Sequence, residues 1–169
     1  LTMKDKQIIV LMGGPSEEAE VSRRTGAAIA EALVSKGYKA QTLELNPRTV
    51  LKDIDSLGGE VVFNAIHGRY GEDGALQGLL EMAEIPYTGS GIMAHAVGMN
   101  KKVSKDVFKG ANISTARSES YNGNLESAEA IIDHIRKEFA IPVVVKSATQ
   151  GSSIGVTIVR EESQLEAAV

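Results

Sequence analysis

The sequence predicts an α/β fold built on a parallel sheet, and three observations carry that prediction. Apolar runs of strand length alternate with stretches of helical periodicity, and glycines gather where a strand would hand over to a helix. The apolar residues are nearly all aliphatic, with four Tyr, three Phe and no Trp in 169 residues. Val, Ile, Leu, Ala and Met suit strands that are buried on both faces.

Ile8 to Met12 reads as the first such strand, closed by Gly13-Gly14. Val21, Ala28, Ile29, Ala32 and Leu33 then recur at helical spacing on one face until Lys36-Gly37 stops them. Ala40 to Leu45 and Glu60 to Ile66 supply two further strands, and Ala75 to Ala83 a short amphipathic helix. Right-handed crossovers connect such units by default. After Ile85-Pro86-Tyr87-Thr88 the pattern changes: Ile92 to Met99 and Lys102 to Phe108 read as helices, and Ala116 to Tyr121 as a strand opening a new unit. We place a domain boundary near Met99, giving domains 1–99 and 100–169. In the second, Leu125, Ala128, Ile132, Ile135 and Phe139 make the apolar face of a helix, and Pro142 to Lys146 pairs with Gly155 to Val159. Glu161 to Val169 begins a helix that is expected to be cut off by the chain end, and Leu1-Thr2 ahead of Met3 is expected to be a vector remnant.

Composition narrows the function. With 18 basic against 22 acidic residues, a net charge of -4 and no block of either sign, nothing favours a nucleic-acid backbone or an anionic membrane, so small-molecule partners are expected. The absence of Cys excludes a disulfide framework, a thiolate metal site and a Cys nucleophile. The apolar run Ile8 to Met12 is five residues long, far short of a signal or a membrane span, and a cytoplasmic location is expected.

Three glycine-bearing loops carry the chemistry. Gly13-Gly14-Pro15-Ser16 follows a strand and precedes a helix, where backbone N–H groups and a helix N-terminus meet ligands at the carboxyl edge of an open sheet. Glu20, in the first turn of that helix, is either a carboxylate for a substrate ammonium or an acid complementing the helix dipole. His67-Gly68-Arg69-Tyr70-Gly71-Glu72-Asp73-Gly74 lies on the same predicted edge, with more functional side chains than a plain connection needs. Lys146 ends a Val-rich strand and is followed by Gln150-Gly151-Ser152-Ser153-Ile154-Gly155. Small residues, hydroxyl and N–H donors and a nearby lysine are what a phosphate-covering flap requires, and a plain hairpin is the alternative.

In order along the chain, these motifs resemble the D-alanine:D-alanine ligase family, of the ATP-grasp superfamily. The resemblance rests on residues 13–22, on His67-Gly68 with Glu72-Asp73-Gly74 and Gln77-Gly78-Leu79-Leu80-Glu81, on Ile85 to Ser90, on Met99-Asn100-Lys101, and on Val143 to Lys146 with Gly151 to Val156. It implies a Rossmann-like N-terminal domain followed by the first, α+β lobe of an ATP-grasp fold. It implies further that Glu20, Ser152 and His67 are catalytic: Glu20 on the ammonium of the first D-alanine, Ser152 in the same network, His67 near that substrate's carboxylate. Gly14, Ser22 and Gly68 would bind substrate, and Lys101, Lys146, Gly151 and Ser153 would hold ATP.

The reaction so implied joins two D-alanines through an acyl phosphate for peptidoglycan precursors, with Mg2+ or Mn2+ bound by the C-terminal half, which would also supply the oxyanion-stabilising arginine. A homodimer is implied too. A D-alanine:D-lactate or D-alanine:D-serine ligase is the alternative enzyme, and a non-catalytic binding fragment the alternative class. Departures from the family pattern are Ala19 where arginine is usual, Asn100 where aspartate is usual, and Ser147 where proline often stands.

Overall fold

A computed structural model describes residues 2–169; Leu1, half of the expected remnant, lies outside them. They divide into two compact units, Leu1–Met99 and Asn100–Val169.

The first unit is a parallel sheet of β1 (Gln7–Met12), β2 (Lys39–Glu44) and β3 (Val61–Asn64) in the order β2-β1-β3. Tyr87 adds a parallel bridge to Val62, so residues 86–88 extend the β3 edge. The uninterrupted apolar run of β1 is explained by burial on both sides. Ile9 and Leu11 point into a cluster with Ile54, Leu76 and Leu80 from α2 (Val50–Ser56) and α3 (Ala75–Met82). Ile8 and Val10 point the other way, against Ile29 and Leu33 of α1 (Ala19–Ser35). Each such burial stabilises by about 1.5–3 kcal/mol. The helix α4 (Ile92–Met99) closes the unit.

Of the α1 face expected to meet the sheet, Ile29 and Leu33 do pack against it, whereas Val21, Ala28 and Ala32 are exposed. Ser22 and Gly26 are its buried residues, whereas Val21 is 45% exposed. The reason is proximity: a Cβ on Gly26 would lie 2.5 Å from the Cβ of Met12, so the helix descends onto β1 along a stripe of small residues. The helix α2 was not foreseen; its seven residues are too few to show a period.

The second unit contains α5 (Lys101–Gly110), α6 (Ala128–Glu138), the antiparallel pair β4 (Val143–Lys146) and β5 (Val156–Val159), and a short α7 (Leu165–Ala168). Ile131, Ile132 and Ile135 of α6 pack with Val159 and Leu165. Two expectations fail here. Leu125 is 82% exposed and precedes the helix, because Ser127 caps α6 by accepting from Ala130 N at 3.2 Å. Residues 116–121 form no strand. Their polar groups take side-chain partners instead: Lys105 Nζ donates to Ala116 O at 2.6 Å, and Arg117 binds the Glu138 carbonyl and carboxylate. A cleft of about 450 Å³ lies between this segment and β4.

Candidate functional site

The strand order decides where the loops go. From β1 the chain turns to β2 on one side and returns to β3 on the other, and this reversal opens a crevice at the carboxyl ends of β1 and β3. The loop after β1 and the loop after β3 meet there. Ser16 Oγ donates to His67 O at 2.9 Å, and Ser22 Oγ donates to Ala65 O at 2.7 Å while accepting from Gly13 N at 2.8 Å. The segment 87–90 joins at the same edge, where Asn64 N donates to Thr88 Oγ1 at 3.1 Å.

Glycine is required at the first turn. Gly13 and Gly14 have φ of 71° and 87°, and a Cβ on Gly13 would fall 2.1 Å from the Glu44 carboxylate. That carboxylate accepts from Gly14 N at 3.2 Å and from Arg23 through Nε and Nη2, the latter at 2.8 Å. Arg23, hydrogen-bonded to Glu44, holds its carboxyl below the usual range. Glu20 pairs with the same arginine at 3.6 Å, and its side chain is 73% exposed.

The second loop is folded by its own acids. Glu72 Oε2 accepts from Gly68 N at 2.6 Å, and Asp73 accepts from Tyr70 N and Ala75 N at 2.9 and 3.0 Å. Tyr70 takes a left-handed φ of 71°. His67 is half-buried beside this loop.

Two residues expected to touch substrate are already engaged within the fold. Ser22 is completely buried with its hydroxyl bonded at both ends inside the fold, so it fastens the first loop to the end of β3. Gly68 is also buried and its N–H is taken by Glu72. Its part is spatial, since a Cβ there would lie 2.8 Å from the Glu18 carboxylate.

In the second unit, Lys101 and Lys146 line one cleft of about 260 Å³ together with Lys102 and Lys105, and Glu119 is its only acidic lining residue. Asn100 caps α5 by accepting from Lys102 N and Val103 N, which keeps the cap that an aspartate would give. Lys101 N donates to Ala148 O at 2.9 Å, bringing the start of α5 against the small-residue loop. In that loop Gly151 is half-buried, Ser152 and Ser153 are exposed, and Ser152 holds φ at 53°. Lys102 and Lys105 were not singled out from the sequence, although positions 101 and 105 share a helix face and could have been. Among the described residues no group of three or more His, Cys, Asp or Glu could hold a metal ion.

Two family models match the chain: D-ala D-ala ligase N-terminus over residues 39–90, and D-ala D-ala ligase C-terminus over residues 109–169. The first motif, residues 13–22, lies outside both spans. A D-alanine–D-alanine ligase of Moorella thermoacetica is 46% identical over 96% of this chain and 53% of its own length. One from Geotalea uraniireducens is 45% identical over 99% and 52%. The chain thus spans about half the length of the curated relatives it matches. Among solved structures, a Bacillus anthracis D-alanine–D-alanine ligase complexed with ATP superposes with a TM-score of 0.71 at 30% identity, over 96% of this chain and 53% of the other. The VanG D-Ala:D-Ser ligase of Enterococcus faecalis gives 0.74 at 26%, over 96% and 58%.

Proposed function

We infer the function from one premise: this chain belongs to the D-alanine–D-alanine ligase family. It is the half of an ATP-dependent ligase that binds the first D-alanine and the nucleotide, in an enzyme that makes D-alanyl-D-alanine for peptidoglycan precursors. The observation that supports this most directly is the meeting of the Glu20 and His67 loops at one sheet edge. An exposed carboxylate and a half-buried imidazole suit the two ends of a small zwitterion.

In this reading Glu20 pairs with the ammonium of the first D-alanine and His67 sits by its carboxylate, with Gly14 shaping the turn. Lys101 and Lys146 offset phosphate charge, and the Gly151-Ser152-Ser153 loop supplies N–H and O–H donors to ATP. A D-alanine carboxylate oxygen attacks the γ-phosphorus and ADP leaves. The amine of the second amino acid then attacks the acyl carbon, inorganic phosphate departs, and the amine loses a proton. Divalent metal, when present, would neutralise phosphate charge.

The structural relatives named as D-Ala–D-Ala and D-Ala:D-Ser ligases have the first amino acid in common, so the reading commits to D-alanine there. The partners are D-alanine and ATP, the assembly a homodimer and the compartment the cytoplasm. The net charge of -4 without a basic block supports small-molecule partners, and among the described residues no helix is long and apolar enough to cross a membrane. The test is kinetic, in the polypeptide extended to the length of its relatives. Glu20→Gln should raise the first-site KM for D-alanine at least about tenfold, from loss of a charged hydrogen bond, and leave the KM for ATP nearly unchanged. An unchanged first-site KM would refute the assignment.

A further inference from the structure

We propose that Asn64 and Gln77 are positioning residues for the first-substrate site: together they grip the carbonyl of Gly71 and so fix the His67 loop at the sheet edge. Asn64 ends β3 and Gln77 lies in the first turn of α3, so the loop is held from the element before it and the element after it. Asn64 Nδ2 donates to Gly71 O at 2.8 Å and Gln77 Nε2 donates to the same oxygen at 2.7 Å. A carbonyl can accept only from the amide nitrogen, which settles how the Gln77 side chain is turned.

The price of this arrangement identifies its purpose. Gln77 is completely buried, and its Oε1 has no hydrogen-bond partner among the described residues. Leucine or methionine would fill that place without an unpaired acceptor, so packing does not account for an amide there. What the amide adds is the bond to Gly71. Gly71 admits no side chain, because a Cβ would stand 2.3 Å from that of Ile66, and its carbonyl is thereby kept at a fixed depth. Asn64 extends the grip: its Oδ1 accepts from Ile66 N at 3.0 Å and its N–H reaches Thr88 Oγ1 at 3.1 Å. Glu72 and Asp73 bond only within the loop and the start of α3, so they shape the loop without tying it to the strand.

The role rests on the reading of Glu20 and His67 as the first D-alanine site. In the extended polypeptide, Gln77→Met removes the donor at nearly constant volume. It should raise the first-site KM for D-alanine about fivefold, with the KM for ATP and the melting temperature little changed. Deuterium exchange should quicken at Gly68 and Tyr70 and stay slow at Ile9. If Gln77→Met does not fold, Gln77→Leu, which also lacks the donor, should show the same pattern. An unchanged first-site KM, or equal losses for D-alanine and ATP with a lowered melting temperature, overturns the positioning role. Glu20→Gln measured alongside separates the causes. If it raises the first-site KM while Gln77→Met does not, only the positioning role falls; if neither does, the reading of the site falls with it.

Discussion

The strands β1 and β4 are made of similar residues and meet different fates. β1 lies between two parallel neighbours with helices on both faces, and its Ile9, Val10 and Leu11 are completely buried. β4 has one neighbour and one covered face. Val143 and Val145 pack on the α6 cluster, while Val144 and its cross-strand partner Ile158 are 52% and 51% exposed. An apolar run alone therefore does not tell how many sides of a strand are covered. A two-stranded ladder is marginal in water, so the second unit draws its stability from α6 and α7 against β5.

The largest effect expected from this contrast is at Leu80, which is completely buried in the doubly covered core. Leu80→Ala should cost about 2–5 kcal/mol, a large part of what a domain of this size has. Urea denaturation read by a probe in the first unit checks it, and a cost below about 1 kcal/mol would mean that the core is looser than the burial states.

Next comes Ser22→Ala, which leaves the Gly13 N–H and the Ala65 carbonyl buried without partners. A loss of about 1–3 kcal/mol is expected in the same experiment. Weakened D-alanine binding at full stability would instead return Ser22 to the substrate.

On the bare face, replacing Val144 and Ile158 together by Thr should change the stability of the 169-residue chain by no more than about 0.5 kcal/mol per site. The same double substitution in the extended polypeptide sharpens the comparison: a clearly larger loss there would show that a further segment covers this face.

The smallest effect is a pH dependence at the first loop. Arg23 holds the Glu44 carboxyl below its usual value, so the pair stabilises fully above the unfolded pKa of about 4.3 and is lost as pH falls through the lower folded value. Since both side chains are nearly half exposed, the contribution should stay below about 1 kcal/mol. The protection of the Gly14 amide against exchange, taken relative to its intrinsic rate at each pH, should fall on acidification in the native protein and not in Glu44→Gln.

The sequence by itself determined the parallel α/β sheet, its three strands and the glycine turns that end β1 and follow β3, because strand burial and positive φ leave direct marks in residue type. It also carried the loops with Glu20, His67, Lys101 and Lys146, since those motifs are contiguous. Only the tertiary structure decided what neighbours do to a residue. Val21 falls outside because Gly26 brings α1 down onto Met12, and residues 116–121 form no strand because Lys105 and Arg117 are bonded along that segment. Ser22 bonds to the Ala65 carbonyl inside the fold, and Asn64 and Gln77 converge on one carbonyl across 13 positions of chain. Local pattern records which faces are apolar and where the backbone must turn; it does not record which polar group a buried side chain will find, because that partner comes from another element.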